Sequence, residues 1–127
     1  MALTVTATVT TPIDSFGKGN EVDQYILTGT SSAAVTVKAA VAGKEIWFKG
    51  HIYASGACVV TFKSAANGTA RCVLGFLTAG TQMIPVSRCE AGELLELSGS
   101  TTVTIGGTVT TLEVASGTPV PTVWALN

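Results

Sequence analysis

Residues 44–55, KEIWFKGHIYAS, alternate over their whole length. Ile46, Phe48, Ile52 and Ala54 fall on one side; Glu45, Trp47, Lys49, His51, Tyr53 and Ser55 fall on the other. A period of two sustained this far predicts a β-strand with one apolar and one mixed face. Strand-like segments lie on both sides of it. QYILT (24–28) and AAVTVKAAV (33–41) precede it. CVVTFK (58–63), TARCVLGFL (69–77), a short QMIP (82–85), ELLELS (93–98), TTVTI (101–105) and TVTTLEV (108–114) follow. Turn signals separate them at Gly29, Gly43, Ser55-Gly56, Asn67-Gly68, Ala79-Gly80, Gly92, Ser98-Gly99 and Gly106-Gly107. Asn67-Gly68 and Gly106-Gly107 both suit tight hairpins, where positive φ is needed. SRCEAGELLEL (87–97) comes nearest to helical periodicity, but Gly92 interrupts it. Many short strands with frequent turns predict an all-β fold, an antiparallel sandwich or barrel.

The two ends read differently from this body. ALTVTATVT (2–10) alternates Leu3, Val5, Ala7 and Val9 against threonines, then gives way to Thr11-Pro12 and a loop. Residues 1–20 therefore read as a strand-like arm and loop, 21–116 as the sandwich, and 117–127 as an extended tail. Pro119 and Pro121 break ladder pairing in that tail, and Trp124 is its apolar plug.

Composition narrows the function. Charged residues are 12% of the 127, against roughly 25% in an ordinary domain. Mean hydropathy is +0.48, more apolar surface than one small domain is expected to hide, which points to contacts between subunits. Seven scattered Lys and Arg make no phosphate-binding patch, so no nucleic-acid partner is expected. No run of apolar residues suits a membrane helix, and MALTVTATVTTPID does not read as a secretory signal. Cys58, Cys72 and Cys89 read as buried thiols of a protein made in a reducing cytosol; a Cys58–Cys72 bridge across a hairpin is the alternative.

Catalytic and metal-binding residues are expected to be absent, and no cofactor is implied. His51 is the single histidine and reads as a sheet-surface residue. Asn20, Glu21 and Asp23 are too few ligands for a dedicated calcium site. Glu93 and Glu96 point to opposite faces of a strand and make no glycosidase pair. The Trp47, Lys49, His51 and Tyr53 stripe has three readings: a protein–protein interface, a stacking platform for sugar rings, or a surface covered by a loop or the N-terminal arm. The interface candidates are Leu3, Val5, Val9, Trp47, Lys49, His51, Tyr53 and Trp124.

Three stretches carry a resemblance: VTVKAAVAGKEIWFKGHIYASG (35–56), VVTFKSAANGTA (59–70) and AGELLELSGSTTVTIGGTVTTLEV (91–114). Together they resemble small β-sandwich proteins of tailed-bacteriophage virions, of the head decoration or cement type. The resemblance implies a jelly-roll-like antiparallel β-sandwich that sits as a homotrimer on the outer capsid lattice, made in the host cytoplasm and partnered by the major capsid protein. A related expectation is a head-fibre or tail-associated module that binds a receptor or glycan through Trp47, Lys49, His51 and Tyr53.

Overall fold

The computed structural model describes residues 4–11, 22–30 and 33–115. Among these, nine strands form two antiparallel sheets: β1 (Thr4–Thr11), β2 (Val22–Thr30), β3 (Val35–Lys38), β4 (Lys44–Ala54), β5 (Cys58–Ser64), β6 (Thr69–Phe76), β7 (Gly80–Arg88), β8 (Leu95–Gly99) and β9 (Thr104–Ala115). One sheet has the order β1-β2-β9-β4-β7 and the other β3-β8-β5-β6. Strand pairs nest from the outside inwards: β2 with β9, β3 with β8, β4 with β7, β5 with β6. This is one long hairpin folded over on itself, the jelly-roll winding, with β1 added at an edge.

The core lies between the sheets. Ile46, Phe48 and Ile52 of β4 project inwards beside Val109 and Leu27. They meet Val60 and Phe62 of β5 and Leu95 and Leu97 of β8. The Phe48 and Phe62 rings bridge the layers with centroids 5.3 Å apart. At the edges, Gln82 Nε2 donates to the Gly75 carbonyl at 2.5 Å, tying β7 to β6.

Two expectations, at Gly106-Gly107 and at Pro85, are corrected. Gly106-Gly107 is no hairpin turn: β9 runs straight through it, with Gly107 opposite Leu27 on one side and Ile52 on the other. The glycine serves close approach, since a Cβ there would sit 2.2 Å from the His51 carbonyl oxygen. The strand-like segment at the start of the chain pairs as an edge strand of its own sheet, with Val5 opposite Leu27 and packed against the core. β7 extends past Pro85 to Arg88 through a bulge: Phe48 faces Ser87 and Gly50 faces Ile84, so Pro85 and Val86 both stand across from Lys49. β7 is an edge strand, where a proline is tolerated. The three cysteines are free and buried, as expected; Cys58 lies opposite Phe76 and Cys72 opposite Phe62, a register that keeps these two from forming the alternative bridge.

Candidate functional site

The outer face of the five-stranded sheet is built by simple register. Alternation sends Trp47, Lys49, His51 and Tyr53 outwards from β4, and the neighbouring strands supply their partners. One row crosses the sheet as Thr6, Ile26, Thr108, His51 and Met83; the next runs Thr4, Thr28, Gly106, Tyr53 and Thr81. Ile26, Tyr53 and Met83 are 42%, 39% and 62% exposed, and His51 is exposed beside them. Apart from His51, both rows lack ionisable groups other than the Tyr53 phenol. Next to them is a shallow depression of about 530 Å³ lined by Gln24, Lys49, Gly50, His51, Thr108 and Thr110.

The expected aromatic stripe is therefore divided. Trp47 is fully buried against Leu112, Val114 and Val86, and its Nε1 donates to Glu45 Oε1 at 3.1 Å. Lys49 is buried as well, and burial lowers its pKa. Only His51 and Tyr53 remain open, so a sugar platform using both Trp47 and Tyr53 is not formed. In the ladder Trp47 pairs with Leu112, whose side chain shares the outer face and extends the apolar strip there. Among the other candidates, Val9 is placed by its backbone opposite Gln24. Leu3 and Trp124 lie outside the described residues.

The glutamates fasten loops. Glu93 accepts the Ser64 hydroxyl at 2.6 Å, Glu96 accepts the Asn67 amide at 3.0 Å, and Glu90 pairs with Arg71. Asn67 takes positive φ in a four-residue turn between β5 and β6, so the Asn-Gly signal does mark a hairpin. No group of three metal-ligating side chains occurs among the described residues. Asn20 and Glu21 lie outside those residues.

A buried ionic cluster is the feature sequence reading missed. Lys38 Nζ of β3 lies 2.6 Å from Asp23 Oδ2 of β2 and 2.7 Å from Glu113 Oε2 of β9, bridging the two sheets. The Tyr25 hydroxyl donates to Asp23 Oδ2 at 3.3 Å. Strict alternation after Val35 and Val37 would send Lys38 outwards. A bulge between Thr36 and Lys38 instead buries both Val37 and Lys38. The signal available in sequence was a lysine ending a short apolar strand, which carries little by itself.

No protein-family model matches the sequence, and no curated protein matches it.

Proposed function

We propose that this chain is a bacteriophage head decoration protein that binds the outer capsid lattice as a homotrimer and stabilises the shell. The observation that carries the reading is the outer face of the five-stranded sheet, where Ile26, Tyr53 and Met83 stand open among threonines. A neutral, flat, partly apolar face suits repeated contact with a regular surface. The jelly-roll winding and the resemblance of residues 35–56, 59–70 and 91–114 support the same class, the latter as analogy of fold.

The mechanism is mechanical. Each contact removes apolar surface from water at about 25 cal/mol per Å², before ordering costs. Many copies around a closed shell act together, so weak single contacts add up to resistance against internal pressure.

The test is native mass of the purified chain, followed by sedimentation with emptied capsids and shell melting. A trimer that binds shells in fixed ratio and raises their melting temperature is expected. A chain that remains monomeric and leaves the shells bare would overturn the reading. Y53K with M83K is expected to abolish shell binding or trimer formation while leaving the sandwich folded, and native mass shows which contact the face makes.

A further inference from the structure

We propose that Lys38 and Asp23 join in an intramolecular amide bond between the two sheets, with Glu113 moving the protons. The three side chains come from three strands, and none is more than 11% exposed. The 2.6 Å separation of Nζ and Oδ2 places the Asp23 carboxyl carbon within about 3.5 Å of the amine nitrogen, close to near-attack distance. A nucleophile, an electrophile and a second carboxylate thus share one poorly solvated site.

The resting cluster holds one ammonium and two carboxylates. Burial pulls the Lys38 pKa down, but its hydrogen bonds to Asp23 and Glu113 more than offset this and hold the ammonium. The reactive form is the minor one in which Nζ has passed a proton to Asp23, discharging two buried ions together. The Nζ lone pair then attacks the Asp23 carboxyl carbon, and the carbonyl π pair moves to oxygen. Glu113 takes the next proton from nitrogen and hands it to the departing hydroxyl. The C–O bond breaks and water leaves. One ammonium and one carboxylate become one amide and one water, Glu113 is regenerated, and nothing is oxidised or reduced.

Two neighbours flank the reacting carboxyl. The Tyr25 hydroxyl already donates to Asp23 Oδ2, the oxygen that takes the Lys38 proton and departs as water, and burial raises the Tyr25 pKa, keeping its proton in place. Thr111 stands opposite Asp23 in the β2·β9 ladder, with a buried hydroxyl lacking a hydrogen-bond partner among the described residues. Effective molarities of ~10⁵–10⁸ M for well-oriented groups favour closure over hydrolysis by water. Asp23 is the assigned electrophile because it is the more buried carboxylate and the one Tyr25 addresses.

The experiment is intact-mass spectrometry of the full purified chain under denaturing conditions, then peptide mapping. The wild type is expected to be lighter than its sequence by one water, with the Lys38 peptide joined to the Asp23 peptide. K38A and D23A are expected at full sequence mass. E113Q, checked by circular dichroism for a retained β-spectrum, is expected to be folded and unjoined. A wild-type chain at full sequence mass after prolonged incubation at neutral pH overturns the proposal. So does a lost water that maps to any other pair, including Lys38 with Glu113. An E113Q chain that closes as fully as wild type removes the role given to Glu113.

Discussion

At Gly50 and Gly107 two central strands approach closely enough that side chains are excluded. A Cβ on Gly50 would meet the Thr108 carbonyl oxygen at 2.0 Å, and one on Gly107 the His51 carbonyl oxygen at 2.2 Å. Both residues take positive φ, 147° and 136°. G107A is therefore expected to lose at least ~2–3 kcal/mol, from strained backbone plus a broken ladder, read as a lowered urea midpoint. Trp47 gives a second residue-scale expectation. W47A empties a buried site between Leu112, Val114 and Val86 and is expected to cost about 3–5 kcal/mol. Its fluorescence in a W124F background should be blue-shifted and poorly quenched by iodide; emission typical of exposed indole would contradict the burial. Cys89 supplies a pH dependence. Burial pushes its thiol from 9.0 up to about 11, so the neutral form is favoured in the folded chain. The unfolded chain then loses its proton first. The stabilisation is whole below pH 9 and fades as pH rises towards 11, by roughly 2–3 kcal/mol. The stability gap between wild type and C89A should narrow over that interval; a constant gap would sink the assignment.

Among elements, β1 has the most to test. It covers the edge of β2 and sends Val5 into the core. Deleting residues 1–12 leaves β2 as a bare edge, and an uncovered edge invites pairing with another chain. The truncated protein is expected to melt lower and to self-associate in native mass measurements. Unchanged melting and mass would mean that β1 contributes nothing to this sheet. How far elements were legible in sequence follows from how local their causes are. β4, β5 and β6 were readable nearly to the residue because alternation and turn residues suffice for them. β9 was divided in two at Gly106-Gly107, because a pair of glycines in a turn and a pair at a crowded crossing look alike without the partner strand. β7 was cut at Pro85 for a similar reason: a bulge on an edge is decided by the opposing strand. Lys38 was hidden by a bulge too. The outer placement of His51 and Tyr53 was readable from period two, whereas the burial of Trp47 depended on Leu112 and Val114, more than sixty residues away in sequence.

At the scale of the molecule, the long hairpin wrapped over itself has a kinetic consequence. β5 and β6 are the most local of the nested pairs, joined by residues 65–68. Each further pair closes a longer loop, and β2 finds its central neighbour β9 only across most of the chain. Contacts this distant are slow to form, because the entropy of closure must be met before pairing rewards it. Refolding from urea is therefore expected in the millisecond-to-second range, with mutations in the β5–β6 hairpin slowing folding and mutations in β1 and β2 mainly speeding unfolding. During synthesis the order is worse still. β1 and β2 leave the ribosome before the other seven strands, and β9, which flanks β2 on its inner side, leaves after all of them. The five-stranded sheet cannot be completed until β9 has emerged, so assembly with any partner through that face has to wait for β9.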